Sequence, residues 1–330
     1  MRAPFPINFA QYLLATLPKP VLLVGLIVSA ALFLLFLGSG AGFPNAETTR
    51  FEDPIEILGS FLLFCLLTPY LLMCVLAGLR SANSTHAQFT EQLAGQFKTD
   101  RYQYISWWPL AIVIGIAFAL FENINWWSMS FDPASPDFLT SVMLVFGQML
   151  LWLVVFLVLF ISAHECWILG RLGKLVPIDL YRLDELNGFG QAGLNNFLMV
   201  VGALAITTVQ SIDQEFRAVN YINGLLVGIP AALLLVTLPI WSLHRRLKHA
   251  KADSIAELDQ AIEQASSDLT SESLNRLNAL LTRREFIRGL RNWPMDLSTF
   301  SRLLLYVFIP PLAWVGAALV EFMLDSFLTG

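Results

Sequence analysis

Two adjacent ionisable residues, His164 and Glu165, are the first candidates for chemistry in this sequence. They follow the apolar stretch Phe138–Ala163, and Cys166 and Trp167 come directly after them. A histidine and a glutamate together can carry out general acid-base catalysis or hold a metal ion. Neighbouring residues on a helix point about 100° apart, so we expect these side chains not to converge on one substrate atom. The alternative is a histidine near a helix C-terminus and a glutamate that reaches the membrane surface.

Two further polar residues, Glu122 and Gln148, border or interrupt apolar stretches. Glu122 ends one stretch together with Asn123 and Asn125. Its carboxylate lies at the negative end of a helix dipole, which predicts either a vestibule that attracts cations or an interfacial acid hydrated from outside. Gln148 lies inside the next stretch and, with Thr68, offers a polar lining without fixed charge to a transport path.

Prolines interrupt three of the apolar stretches. Pro69 lies in the stretch Ile57–Leu79, Pro230 and Pro239 lie in Tyr221–Leu243, and Pro310 and Pro311 lie in Leu303–Val320. Each proline removes a backbone donor and frees the carbonyl four residues earlier. Broken helices of this kind line the sites of some transporters. Simple kinks are the alternative, because membrane helices tolerate them.

Several chemistries have no pattern in the sequence. The seven apolar stretches contain no Asp, Glu, Lys, Arg or His, which argues against proton-coupled transport, voltage sensing and aspartyl proteolysis within the membrane. Neither a zinc site nor a disulfide framework is indicated by the spacing of Cys65, Cys74 and Cys166, so we expect free buried cysteines. The glycines at 188, 190 and 193 match a dinucleotide fingerprint, but no strand pattern precedes them. We therefore expect no catalytic residue, cofactor or metal.

The composition predicts an all-α membrane protein. Hydrophobic residues make up 56% of the chain and charged residues 14%, against about 25% charged residues in soluble domains. A helix needs about 20 apolar residues to cross roughly 30 Å of hydrocarbon. The sequence predicts a polytopic helix bundle with about seven spans: Val21–Gly38, Ile57–Leu79, Ile105–Phe121, Phe138–Ala163, Gly193–Gln210, Tyr221–Leu243 and Leu303–Val320. The fifth has the shortest purely apolar run, because Asn195 and Asn196 interrupt it.

The basic residues predict the orientation of the bundle. With seven crossings and the N-terminus inside, only Arg50 and Arg217 of the lysines and arginines fall outside. The positive-inside rule therefore predicts a cytoplasmic N-terminus and an external C-terminus, as in a bacterial inner (plasma) membrane. The net charge of -5, without a dense basic block, argues against nucleic acid as a partner.

One segment, 244–302, has the composition of a soluble element. It divides the chain into spans one to six (1–243), this element, and the seventh span (303–330). Ser254 followed by Glu257 matches a capping box and predicts the start of a first helix, and a second helix is expected over about 272–290. The two helices predict an antiparallel cytoplasmic hairpin whose apolar stripes meet each other, a second copy, a protein partner or the bilayer surface. The candidate interaction residues are Ile255, Leu258, Ile262, Leu277, Leu281 and Ile287.

Two shorter patterns concern packing near the predicted cytoplasmic side and within span six. Residues 178 to 189 predict an amphipathic elbow along the inner surface, with lipid-facing leucines at Leu180, Leu183 and Leu186. Gly224 and Gly228 predict a close helix approach, within the monomer or between copies.

The first functional hypothesis is a non-catalytic membrane protein that acts as sensor, scaffold or subunit of a membrane assembly. Its partners are then the lipid bilayer and either another protein or a second copy, bound through residues 253–290. The alternative is a channel or passive transporter along the proline-containing spans two, six and seven. A third hypothesis is an enzyme at the inner membrane surface that uses His164 and Glu165.

Overall fold

The computed structural model describes residues 7–16, 19–38, 54–92, 108–122, 138–211, 218–266 and 271–293, with six single positions between 301 and 316. The regular elements in these ranges are all helical. The α-helices are α1 Ile7–Thr16, α2 Pro20–Gly38, α3 Pro54–Gln92, α4 Trp108–Glu122, α5 Phe138–Leu172, α6 Asn187–Ile206, α7 Ala218–Ser266 and α8 Ser271–Gly289. Short 3-10 helices cover Leu183–Leu186 and Thr207–Ser211.

Five segments are long and apolar enough to cross a membrane, which confirms a helical membrane bundle. They are Pro20–Gly38, Leu58–Ser84, Phe138–Leu172, Leu183–Val209 and Gly224–Ser266. The apolar helix Trp108–Phe121 is shorter, with fewer than 18 residues. At about 1.5 Å per residue, this described helix does not reach across roughly 30 Å of hydrocarbon. Of the predicted seventh span only isolated positions are described, and Pro310 and Pro311 lie outside the described residues.

Helix α3 packs mainly against α2, α5 and α6. The Tyr70 hydroxyl donates to the Leu198 carbonyl over 3.0 Å, and Asn195 Nδ2 donates to Ser81 Oγ over 3.5 Å. These two bonds show that α3 and α6 are antiparallel. The main core lies between α2, α3, α5, α6 and α7 and consists mostly of leucine, valine and phenylalanine.

Helix α7 is one element of 49 residues, about 74 Å long. It joins the predicted sixth span and the predicted first helix of the soluble element without interruption. The helix also continues through Pro230 and Pro239, as α3 continues through Pro69. These prolines therefore do not break the described helices, contrary to one alternative from the sequence.

Glycines allow α5 and α7 to approach closely. A Cβ on Gly170 would lie 2.7 Å from the backbone oxygen of Leu238, so a larger residue at this position requires the helices to separate. Ser242 Oγ donates to the Gly170 carbonyl over 2.7 Å. One turn later, Arg246 Nη1 donates to the carbonyls of Gly173 and Val176 over 3.0 and 2.7 Å. The two helices are thus fixed to each other by hydrogen bonds to the last turn of α5 and the turn that follows it.

The elbow between α5 and α6 turns its leucines into the protein. Leu180, Leu183 and Leu186 are buried, and they share a second apolar cluster with Leu258 of α7 and Ile287 of α8. The prediction that these leucines face lipid was wrong, because the C-terminal part of α7 and helix α8 cover them. An apolar stripe in a sequence shows that one face of a segment is buried, but it does not show whether lipid or another helix covers that face.

The described basic residues lie at or beyond one end of the bundle, here called the basic end. Lys19 at the start of α2 and Arg80 of α3 line one surface depression. Arg171 lies in the last turn of α5, and Arg245 lies about one turn further along the parallel helix α7. The remaining described lysines and arginines follow in the elbow, in the part of α7 beyond the bundle and in α8.

Candidate functional site

His164 and Glu165 are buried inside the bundle, only 8% and 5% exposed. The reason is that α5 continues to Leu172, two turns beyond the apolar stretch that ended at Ala163. The expectation that Glu165 reaches the membrane surface was therefore wrong. The two side chains also approach each other, with His164 Nδ1 4.0 Å from Glu165 Oε1. That distance is too long for a hydrogen bond but suits an ion pair when the histidine is protonated.

Glu165 borders a small cavity between α3, α5 and α6. Ser81, Cys166, Asn195 and Asn196 line the same cavity, whose volume of about 20 Å³ is sufficient for one water molecule. Asn196 Nδ2 donates to Cys166 Sγ over 3.0 Å. In the sequence the two asparagines indicate only an interruption of span five. Two adjacent amides in an apolar stretch are, however, a signal for a buried polar contact, because amides rarely face lipid.

Cys166 also contacts the backbone of α7. Its Sγ donates to the Leu235 carbonyl over 3.4 Å. Pro239, four residues later, has no N–H for that carbonyl, so the cysteine supplies the donor that the helix lacks. Ser29 of α2 does the same in α3, where its Oγ donates over 3.0 Å to the Cys65 carbonyl that Pro69 leaves free. Side chains of neighbouring helices thus bind two of the carbonyls freed by prolines.

The prediction of free buried cysteines holds in full for two of the three cysteines. Cys65, Cys74 and Cys166 are free thiols, of which Cys65 and Cys166 are buried and Cys74 is half-buried. Among the described residues, no three His, Cys, Asp or Glu side chains are grouped so that they could hold a metal ion.

A larger cavity of about 100 Å³ lies between α3, α5, α6 and α7. Gln148 and Thr207 contribute its polar groups, and the other side chains that line it are apolar. Gly224 and Gly228 border it on α7, and a Cβ on Gly228 would lie 3.1 Å from Leu204 of α6. The glycine pattern of span six therefore faces a neighbouring helix of the same chain. The described residue Thr68 is buried in α3 away from this lining.

Glu122 is the last residue of α4, and its side chain lies outside the described residues. The vestibule predicted at Glu122 therefore lies outside the described residues.

Helix α8 packs along the C-terminal part of α7. Lys251 Nζ donates to the carbonyls of Arg288 and Leu290 over 2.8 and 2.7 Å, so it binds the last carbonyls of α8. Arg284 Nε lies 2.6 Å from Asp259 Oδ1. The candidate interaction residues divide by burial: Leu258 and Ile287 are buried, Ile255, Ile262 and Leu277 are half-buried, and Leu281 is exposed.

The elbow holds α8 on its other side. Arg291 Nη2 lies 2.9 Å from Asp184 Oδ1, and the rings of Tyr181 and Phe286 stack with their centroids 5.9 Å apart. Arg283 lies over the Tyr181 ring, 5.6 Å from its centroid. These contacts connect α8 to the bundle through the α5–α6 elbow as well as through α7.

The chain matches no known family model, and the comparisons with curated proteins and with solved structures found no similar protein.

Proposed function

We propose that this chain is a non-catalytic membrane protein that acts as a scaffold, sensor or subunit of a membrane assembly. The protein lies in a bacterial inner (plasma) membrane with its basic end on the cytoplasmic side. The seventh span completes the bundle and leaves the C-terminus outside. The part of α7 beyond the membrane and helix α8, residues 244–293, form the cytoplasmic hairpin that binds a protein partner or a second copy. We call these residues the α7–α8 extension.

The observation that carries this proposal is the fixed attachment of the extension to the bundle. Helix α7 runs without a break from the membrane into the extension. Lys251 binds the end of α8, and Arg291 binds Asp184 of the elbow. A passive connector would not need three separate attachments. A surface that must present a partner site in a defined position would need them.

The exposed face of α8 provides the contact surface. Leu274 and Leu281 are 48% and 40% exposed. They lie seven residues apart and therefore on one side of the helix, away from the buried Ile287. Apolar residues repeated at this spacing on an exposed helix face are typical of helix-mediated recognition.

Two observations favour this function over a channel or passive transporter. The carbonyls of Cys65 and Leu235, which prolines leave free, accept hydrogen bonds from Ser29 and Cys166 instead of facing a path. The larger cavity has a mostly apolar lining, which suits packing or hydrocarbon better than a hydrated solute.

The test is extraction of the full chain from its own membrane into polymer nanodiscs, followed by native mass measurement. We expect a stoichiometric partner or a second copy in the particle. The double variant Leu274→Glu/Leu281→Glu should lose it, because two charges on the apolar stripe oppose burial in an interface.

The matched control is Asn275→Glu/Thr282→Glu, which adds the same two charges seven residues apart on another exposed side of α8. This variant should retain the partner. A wild-type particle that holds one copy and no other protein would overturn the proposal, and so would an equal loss in both double variants.

A further inference from the structure

Two arginine and tryptophan pairs lie near the basic end of α5 and α7. The Arg171 guanidinium carbon lies 5.0 Å from the ring centroid of Trp167, and that of Arg245 lies 5.2 Å from the ring centroid of Trp241. Each pair is separated by four residues and therefore occupies one side of its helix. All four side chains are exposed, with Trp167 at 36% and Trp241 at 49%.

The two helices run parallel along a common seam. Cys166 Sγ meets the Leu235 carbonyl at one level, and Ser242 Oγ meets the Gly170 carbonyl further along. Residue 171 of α5 therefore lies within about one residue of the level of Trp241. The two pairs therefore follow each other along the seam, with Arg171 level with Trp241 and the pair on α7 displaced by about one turn.

The pairs also lie on the same side of this seam. On α5, Trp167 and Arg171 are rotated by about 90° and 130° from the line of contact with α7, at 100° per residue. On α7, Trp241 and Arg245 are rotated by about 90° and 50° from the line of contact with α5, in the opposite sense. In two parallel helices, opposite rotations away from a shared seam turn side chains to the same face.

Other groups extend this face. Lys248 is exposed and lies one heptad after Trp241, on the same side of α7. Trp293 stacks on His244, with ring centroids 4.0 Å apart, and the His244 ring lies 6.3 Å from the Trp241 ring. The face thus combines cations with several large aromatic rings.

We propose that this face binds the headgroup of an anionic phospholipid from the leaflet at the basic end. Arg171 and Arg245 bind the phosphate oxygens through charge-assisted hydrogen bonds, and Lys248 adds positive charge beyond them. Trp167 and Trp241 lie at the boundary between headgroups and acyl chains. Each ring also holds its arginine in place through a cation–π contact, which lowers the entropy lost on binding.

The charge and the position of the site both favour this ligand. Guanidinium groups bind phosphate in a bidentate geometry, and tryptophan is enriched at membrane interfaces. The carboxylates that pair with arginine among the described residues bind Arg182, Arg284 and Arg291 instead. A phosphate diester therefore complements Arg171 and Arg245 at a depth where lipid supplies it.

The experiment uses the full chain in nanodiscs that contain either phosphatidylcholine alone or a mixture with phosphatidylglycerol. Native mass spectrometry counts the lipids that remain bound after the nanodisc is removed in the gas phase. We expect the wild-type chain to retain phosphatidylglycerol in preference to phosphatidylcholine. Arg171→Gln/Arg245→Gln should weaken this retention about thirtyfold, as expected for two charges near a membrane surface.

The control variant Arg276→Gln/Arg288→Gln removes two exposed charges from α8 and should retain phosphatidylglycerol like the wild type. Equal losses in both double variants would show a diffuse electrostatic effect and overturn the site. Equal retention of both lipids by the wild type would also overturn it. If millimolar inorganic phosphate displaces the bound lipid from the wild type, the site recognises free phosphate and the assignment to lipid fails.

Discussion

The Ser29 hydroxyl of α2 donates a 3.0 Å hydrogen bond to the Cys65 carbonyl of α3. Pro69 deprives this carbonyl of its helical donor. A side chain of the neighbouring helix α2 therefore replaces the backbone donor that Pro69 removes from α3. Thiol and hydroxyl donors at Cys166 and Ser29 perform the same task in two different helices.

The first prediction concerns this compensation. Replacing Ser29 with Ala should lower the free energy of unfolding by about 1 kcal/mol in the wild-type background. In the Pro69→Ala background the cost of Ser29→Ala should fall to nearly zero, because the substitution of the proline restores a backbone donor to the Cys65 carbonyl. Reversible unfolding in mixed micelles measures all four proteins of this cycle. Equal costs in both backgrounds would contradict the explanation.

The second prediction concerns the close seam between α5 and α7. Gly170→Ala should destabilise the bundle by about 1–3 kcal/mol, because the new Cβ would lie 2.7 Å from the Leu238 backbone oxygen. Gly38→Ala is the control, since among the described residues no atom outside the adjacent turn of its own helix lies within 4 Å of the added Cβ there. Thermal unfolding in the same detergent should show a lower Tm for Gly170→Ala only. A Tm for Gly170→Ala that equals the control would show that the helices separate without cost.

The third prediction concerns the buried carboxylate. Glu165→Lys should abolish accumulation of folded protein or reduce stability by several kcal/mol, because it places a cation beside His164 in a site that is 5% exposed. Glu185→Lys makes the same exchange in the elbow, where the side chain is 43% exposed, and should have little effect. Membrane yield and size-exclusion profiles of the two variants check this. Normal yield of Glu165→Lys would show that water reaches the site freely.

The fourth prediction concerns the attachment of α8. Lys251→Met should increase hydrogen exchange of the backbone amides at 288–292, because the last carbonyls of α8 lose the donor that binds them. Lys248→Met removes the same charge from an exposed position of α7 and should leave these amides protected. Exchange mass spectrometry of the full chain in nanodiscs resolves the difference. Unchanged protection in Lys251→Met would mean that the apolar cluster alone holds α8.

Run length and composition predicted the fold class because a charge-free helix long enough to cross hydrocarbon has few other environments. They did not predict that α5 would continue past Ala163. Residues 164–172 favour a helix, but their charged side chains end the apolar run from which the span was predicted. Burial of Glu165 depends on α3 and α6, which are distant in sequence. The same limit applies to Leu183, whose apolar character was evident while the helix that covers it was not.

The site residues show a similar division. Free cysteines followed from their spacing, although Cys74 is only half-buried. Gln148 lies within an apolar stretch of the sequence, but the cavity that it borders depends on four helices. Asn196 was missed as a partner of Cys166, since only the antiparallel pairing of helices brings the two together. Pairwise contacts between helices carry almost no signal in a single sequence.

The length of α7 has a mechanical consequence. Residues 244–266 of α7 follow the predicted sixth span and, at about 1.5 Å per residue, extend about 35 Å beyond it. A rigid rod of that length acts as a lever, and each degree of tilt of the span moves its tip by about 0.6 Å. A change in bilayer thickness that tilts α7 by about ten degrees would thus displace the turn between α7 and α8 by several ångströms.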